Sequence, residues 1–448
     1  MLKLWCLVVL GGFGLEVIFG ETFTAIPENL LNCYRSNVTK DLPQPPLTTK
    51  LLIELIRKLE FDKSSPHIRT LTNAVLHTAK YDGVRRTGGG DELDGIIPYR
   101  ASGEHFYKYQ FIVDHLTPGD TLQFPRDAIN EVEFCILHLI VSNTIDQWPN
   151  KSCKDCIVEQ GVLWDKWGSI SGGHLITGLA SALQKEKLTL GRLMDNIQAN
   201  DTFSASTRNQ IIDNVLFSTI VGDLAEVLIR QGVDPVIGVV GNWNDTLLPR
   251  LHYLEVDAWD MSGAELLAGI DAILLADRVK DWLDILEGIR LSQLIDMYYS
   301  DRGVAFDRSY RACERFKKLQ GLFDAFDLVD YVSAAAKILQ TTGRYGVYLE
   351  ENAIDKLAFG IVDSYKKTAE LLGKSQVDCD ERAEDPGRME LIVILDGTWQ
   401  SYNIHQFASY GGEVLQENIS ANVSDDTVNL EFQRSDGTLV TQLIDFRN

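Results

Sequence analysis

The 448-residue chain is short of positive charge, with 42 lysines and arginines against 64 aspartates and glutamates and a formal net charge of -22. Such a balance argues against nucleic-acid binding or attachment to anionic membranes as a main task, because both require a positive surface field. Long apolar runs are missing after the first twenty residues, so no later window approaches the roughly 20 nearly uninterrupted apolar residues of a spanning helix. The last residues, from Gln442 to Asn448, lack the hydrophobic tail of a lipid-anchor signal, so no membrane insertion is expected. His-Glu-x-x-His is absent, Cys-x-x-Cys has no second copy, and the Asp-x-Asp-x-Asp-Gly spacing of a calcium loop is not found. No metal and no cofactor is therefore expected.

What is present points to the secretory pathway. Residues 1–20 combine Lys3, an apolar stretch beginning at Leu4 and small residues at Gly14 and Gly20, the composition of a cleavable signal peptide, with cleavage after Gly20 preferred. Asn37, Asn150, Asn200, Asn244, Asn418 and Asn422 each open an Asn-x-Ser/Thr triplet and become glycosylation acceptors in that compartment. With Cys6 removed, Cys33, Cys135, Cys153, Cys156, Cys313 and Cys379 form an even set, and bridges are the default for cysteines in an oxidising compartment. Their pairing is open at this level.

Helical periodicity dominates from Pro45 to Gly373. Thr48 precedes an apolar stripe at Leu51, Leu52, Leu55, Ile56 and Leu59, and Pro66 opens a second at Ile68, Leu71, Val75 and Leu76. A third helix is expected to start at Asp127, a longer one to run from Ser206 to Gln231, and the strongest helical signal covers 262–299, where Ser262 and Glu265 fit a capping box. The segment around Asp165, Trp167, Ser171 and Gly178 resembles that around Asp257, Trp259, Ser262 and Gly269, each with a mid-helix glycine that suggests a close helix crossing. This self-similarity predicts a duplicated helical unit starting near 165 and 257. After the acidic stretch 378–386, alternation at Val428, Leu430 and Phe432 and a turn at 435–437 predict strands.

The fold class expected is thus mainly α, a multi-helix body over 21–380 with a possible internal duplication, followed by a small β-rich C-terminal module over 386–448. Leu391 to Gln400 resembles the strand and metal loop that open a von Willebrand A domain. Gln400 replaces a needed hydroxyl, and the remaining chain is too short for the rest of that domain, so Asp396-Gly397 is read as a turn.

Local chemistry is sparse. Ser171 and His174 sit in a glycine-rich segment with Asp165 nearby, but neither Ser169 nor Ser171 has the glycine spacing of a nucleophile elbow, and a capping role fits better. Cys153 and Cys156 have the dithiol spacing but follow a loop, which favours structural disulfides. Glu131, Cys135 and His138 share a helix face, for which a bridged cysteine beside a partly buried histidine is the simpler reading, and Asp82, Asp91, Glu92 and Asp94 read as a solvated loop. The basic residues Arg302, Arg308, Arg311, Arg315, Lys317 and Lys318 read as a solvated helix face, with a sulfated-glycan patch as the sharper alternative. The function expected is that of a secreted, acidic, N-glycosylated, disulfide-containing protein acting by binding or structure on an extracellular protein or glycan partner. Loops 87–102 and 148–167, with Trp148 and Trp164, are the candidate contact regions. The alternatives are a secreted hydrolase using Ser171, His174 and Asp165, and a carrier of small apolar ligands.

Overall fold

In the computed structural model the chain divides into two compact units, Met1–Glu384 and Asp385–Asn448. The structure describes residues 26–34, 47–61, 66–83, 85–87, 96–97, 104–119, 123–148, 156–194, 208–231, 237, 261–285, 288–323, 328–342, 348–379, 419–424, 427–433 and 439–445.

The first unit is mainly helical. A short strand β1 (Leu47–Thr48) leads into α1 (Thr49–Glu60), where the Thr48 hydroxyl accepts from the Leu51 amide at 3.3 Å and Leu52, Leu55, Ile56 and Leu59 face the core. Helix α2 (Ile68–Ala79) follows, then β2 (Arg85–Thr87), β3 (Ile96–Ile97) and α3 (Glu104–Phe111), which continues into a π-helical turn, Ile112–Leu116. Helix α4 (Glu131–Val141) starts later than the expected Asp127. Asn130 accepts from the Glu133 amide at 2.9 Å while the Glu133 carboxylate accepts from the Asn130 amide at 3.0 Å, a reciprocal cap that fixes the start there.

Four short strands then separate α4 from α5: β4 (Thr144–Trp148), β5 (Cys156–Gln160), β6 (Val162–Trp164) and β7 (Ile170–Ser171). They build two sheets, one ordered β1-β6-β7 and the other β3-β2-β4-β5. Gly161 makes the corner between β5 and β6 at φ +84°, and a Cβ there would stand 2.7 Å from the Ser142 carbonyl oxygen.

These sheets correct the expected fold class, which reserved β structure for the C-terminal module. A small three-stranded sheet lies in the N-terminal half of the helical unit, and its strands of two or three residues are too short to show a period-2 pattern. In the second unit β8 (Ile419–Ser424), β9 (Thr427–Gln433) and β10 (Leu439–Asp445) are described through their backbone as antiparallel neighbours. The segment 389–395 and the expected turn at 435–437 lie outside the described residues.

Helix α5 (Gly172–Ala182) is buried along its whole length. The helix expected from Ser206 begins instead at Asn214, because the Asp213 carboxylate caps the Val215 and Leu216 amides at 2.9 Å, while Ile211 bridges Thr189 and is 57% exposed. A π-helical turn, Phe217–Val221, joins this start to α6 (Gly222–Gln231). The signal over 262–299 resolves into α7 (Gly263–Ile285) and α8 (Leu291–Tyr298), followed by α9 (Arg315–Phe323), α10 (Leu328–Thr342) and α11 (Glu351–Ser375).

Helix α7 is the axis of the unit: every residue from Gly263 to Leu275 is buried, so its first turns are surrounded rather than amphipathic. It crosses α5 where Gly178 meets Ala272, and it approaches the π-helical turn where Gly269 meets Ile220. A Cβ built on Gly178 would stand 2.3 Å from the Ala272 Cβ, and neither group can rotate away. Gly178→Ala is therefore expected to destabilise by about 1–3 kcal/mol despite its better helix propensity, with Ala272→Gly restoring part of the loss. Gly360 in α11 has nothing within 4 Å of such a Cβ, so Gly360→Ala is expected to stabilise by ~0.5–1 kcal/mol. Urea denaturation of the three variants checks both signs, and equal effects at 178 and 360 would contradict the packing argument.

Candidate functional site

Two buried polar networks hang on α7, one from its first turn and one from Asp271. The first gathers around His174. Ser171 caps α5, its hydroxyl accepting from the His174 amide at 3.3 Å, and Ser262 caps α7 in the same way, accepting from the Glu265 amide at 3.3 Å while the Glu265 carboxylate accepts from the Ser262 amide at 2.8 Å. The side chains of His174 and Glu265 are both buried. His174 Nε2 lies 2.7 Å from Asp223 Oδ2 on α6, and Nδ1 lies 3.0 Å from Ser171 Oγ and 3.2 Å from Asn143 Nδ2. Lys108 enters from α3, ion-paired with Asp223 at 2.7 Å and with Glu226. Side chains of Lys108, Asp223 and Glu226 are at most 4% exposed.

Electrostatics in this cluster depart from those of free groups. Burial opposes the Lys108 ammonium, but Asp223, Glu226 and Glu265 together outweigh it and hold the amine charged well above the ordinary lysine range. Burial likewise opposes the Asp223 carboxylate, and the neighbouring His174 and Lys108 reverse that effect, leaving its pKa below the usual aspartate value. The consequence for stability has a sign. A depressed native pKa contributes stability that is fully present above the unfolded value of ~3.9 and is lost as pH falls through the lower native value. Asp223→Asn is expected to flatten the loss of stability below about pH 4, measured by acid titration of far-UV circular dichroism. A variant that acid-unfolds with the wild-type slope would remove Asp223 from that role.

The second network lies around Asp271, which is fully buried. Arg315 Nε sits 2.8 Å from Asp271 Oδ1, and the Tyr298 and Tyr299 hydroxyls donate to the two carboxylate oxygens at 2.6 and 2.7 Å. Arg315 Nη1 also donates to the Trp167 carbonyl at 2.9 Å, and the Trp167 indole donates to the Tyr299 carbonyl at 3.0 Å. Burial pushes the Asp271 carboxyl up, against the pull of Arg315 and the two tyrosines, and Asp165 is raised for the same first reason.

The sequence-derived candidates are distributed as follows. Ser171 and His174 meet, but Asp165 is bonded elsewhere, to the Thr49 hydroxyl at 2.6 Å and the Trp167 amide at 3.0 Å. The carboxylate at His174 is Asp223. Ser171 is 1% exposed, and the series Ser171, His174, Asp223 lies in the interior among the described residues. The missed members, Lys108, Asp223, Glu226 and Asn143, left one signal: Asp223 and Glu226 interrupt an apolar stripe at helical spacing.

Cys33 is bonded to Cys135 and Cys313 to Cys379, spanning 102 and 66 residues. Cys135 is thereby removed from any metal face, and His138 hydrogen-bonds the Tyr34 hydroxyl through Nε2 at 2.7 Å. Cys153 lies outside the described residues, and Cys156 opens the strand β5, not a helix. Asp82 is buried and paired with Lys80 at 2.8 Å, which takes it out of a solvated loop, while Asp91, Glu92 and Asp94 lie outside the described residues. The solvated basic face is likewise corrected at Arg315, which is 0% exposed, while Lys317 pairs with Glu314 at 3.0 Å. Asn37, Asn150, Asn200, Asn244 and Asn418 lie outside the described residues, and Asn422 is described only as part of the β8 backbone. Trp164 ends β6 and is 43% exposed.

Among the described residues no helix is long and apolar enough to cross a membrane, and no group of three His, Cys, Asp or Glu side chains is placed to hold a metal ion. Comparison with known proteins touches the C-terminal end. Residues 405–448 match the family model described as Out at first. An Out at first protein of Drosophila melanogaster is 47% identical over 58 residues, 13% of this chain and 12% of that protein. One of Drosophila virilis is 66% identical over 38 residues, 8% of this chain and 12% of that protein. The matched stretch thus spans 12% of the length of each of these two relatives. No solved structure matches the chain.

Proposed function

We propose that this chain is a secreted, N-glycosylated protein that acts by binding or structure in the extracellular space, with a protein or glycan as its partner. The observation that carries the reading is the pair of disulfides closing loops of 102 and 66 residues, since bridges of this kind persist in oxidising compartments and are rare where thiols are kept reduced. The signal-like composition of the first twenty residues and the six Asn-x-Ser/Thr triplets support the same reading. Binding is favoured over hydrolysis because the ionisable groups of the His174 cluster bond one another in the interior, whereas Trp164, an amphipathic ring suited to a contact, is at the surface. The C-terminal likeness to Out at first proteins names no partner.

Peptide mapping of the protein secreted from a eukaryotic host, with and without reduction, tests the proposal. A mature start at Glu21, glycans on the triplets and oxidised Cys153 and Cys156 are expected. Retention inside the cell with unmodified asparagines and free thiols at 153 and 156 would overturn it.

A further inference from the structure

The two disulfides stand in different surroundings. Cys33 and Cys135 are both 0% exposed, and the segments that carry them are also fastened by the Tyr34–His138 and Asn32–Glu131 hydrogen bonds at 2.7 and 3.2 Å. A reductant meets those sulfurs only after the two segments part. Cys313 is 6% exposed and Cys379 is partly exposed, at the last described residue before the boundary between Glu384 and Asp385. Its neighbours Val377 and Asp378 are exposed, Val377 at 59%.

The two sides of the Cys313–Cys379 bridge are held unequally. Cys313 lies in the 3-10 turn Ala312–Glu314, which runs directly into α9. Arg311 pins that turn: its Nη1 donates to the Asp301 carbonyl at 2.9 Å and its Nη2 reaches Glu314 at 3.4 Å. Lys317 pairs with the same carboxylate at 3.0 Å, so its charge is offset beside the sulfurs and repels an approaching thiolate less. On the other side α11 ends at Ser375, and its final backbone hydrogen bond runs from the Gln376 amide to the Gly373 carbonyl at 3.4 Å. Among the described residues no hydrogen bond holds Val377 or Asp378. Cys379 Sγ lies 3.4 Å from Glu314 Oε1, but a disulfide sulfur carries no hydrogen to donate. Apart from partial packing of Cys379 on the core, the covalent link is what fastens 377–379.

We infer that the Cys313–Cys379 bridge is a thiol-exchange site for a dithiol reductant, and that its opening releases residues 377–379, the stretch that leads out of the helical unit. A thiolate of the reductant attacks the sulfur of Cys379, the more exposed residue, and the S–S bond breaks with its electron pair going to Cys313. Cys313 leaves as a thiolate at the amino end of a helical stretch, where negative charge is favoured, and takes a proton from solvent. The second thiolate of the reductant then attacks the mixed disulfide. Cys379 leaves and is protonated in turn, so the reductant ends as a disulfide and this chain as two thiols, a transfer of two electrons. The Cys313 side keeps its place, because Arg311 pins it and the Phe316 ring packs where a Cβ on Gly373 of α11 would stand, 3.2 Å away. The Cys379 side comes away, and the covalent connection to the second unit gains three residues, about 10 Å when extended. The inference rests on the bridge and not on the partner proposed above.

The test incubates the oxidised full-length protein with reduced thioredoxin under native conditions, traps thiols with iodoacetamide and follows each cysteine by peptide mass. Cys313 and Cys379 are expected to be labelled at least about tenfold faster than Cys33 and Cys135, which open only with the fold around them. Hydrogen–deuterium exchange of the trapped product is expected to show protection lost over 372–379 and kept across α4 and α7. The double variant Cys313→Ser with Cys379→Ser reads the same opening without reductant: its 372–379 peptide should exchange like that of the trapped product and ignore thioredoxin. Labelling of Cys313 and Cys379 no faster than that of Cys33 and Cys135 overturns the inference, as does a 372–379 segment that keeps its protection in the trapped product. Secretion and glycan occupancy are read by the separate peptide map, so either proposal can fail alone.

Discussion

Lys108→Met should destabilise the helical unit by about 3–5 kcal/mol, because it leaves the Asp223 and Glu226 carboxylates in the interior without the ammonium that both contact. The methionine fills similar volume and adds no cavity, so the loss is electrostatic. Asp223 has His174 as a second partner at 2.7 Å, which keeps the effect from being larger. Neutralising the set together, as Lys108→Met with Asp223→Asn and Glu226→Gln, should recover much of the stability, since a buried ion cluster costs desolvation that its removal returns. Guanidinium denaturation monitored by tryptophan fluorescence measures each variant. A single-variant loss below about 1 kcal/mol would mean that water or another cation reaches the carboxylates, and the closed interior would have to be abandoned.

The second large effect is expected from the Cys33–Cys135 bridge. Loop closure over 102 residues implies a stabilisation of about 4–5 kcal/mol by restriction of the unfolded chain, against typical measured values of about 2–4 kcal/mol. Replacing both cysteines by alanine removes that restriction, and it also loosens neighbouring contacts: Tyr34 to His138 at 2.7 Å and Asn32 to Glu131 at 3.2 Å. Yield of folded protein and the urea midpoint should both fall, more than for the same replacement at Cys313 and Cys379, whose loop spans 66 residues. The reverse order would show that strain or residual structure in the unfolded chain, rather than loop length, governs these bridges.

Helix starts were legible where the cap is local. Thr48 before α1 and the Ser262–Glu265 pair before α7 are recognisable because the capping atoms lie within three residues of the amides they satisfy. Starts failed where a second local signal competed. Apolar residues suggested a helix from Ser206, yet the Asp213 cap and the Thr189–Ile211 bridge took precedence, and Asn130 with Glu133 displaced the start expected at Asp127. The two mid-helix glycines at 178 and 269 pointed correctly to close approaches, since their cost is incurred without benefit unless another group occupies the missing Cβ.

The His174 cluster was half visible. Ser171 and His174 are three residues apart and their proximity follows from the start of α5. Asp165 was the natural third member by sequence distance, but the structure turns it toward Thr49 and Trp167. The carboxylate that meets His174 comes from position 223 and the lysine that meets that carboxylate from position 108, with no common motif between them.

The sequence by itself determined the net negative charge, the mainly helical body, the local caps and the supply of cysteines, because each follows from composition or from residues within one helical turn. Tertiary structure alone decided which cysteines pair, where the short sheets form and which buried charges meet. Those choices join segments about a hundred residues apart, and a polar side chain is drawn to a distant partner by the cost of desolvation, which exists only after the core has closed around it.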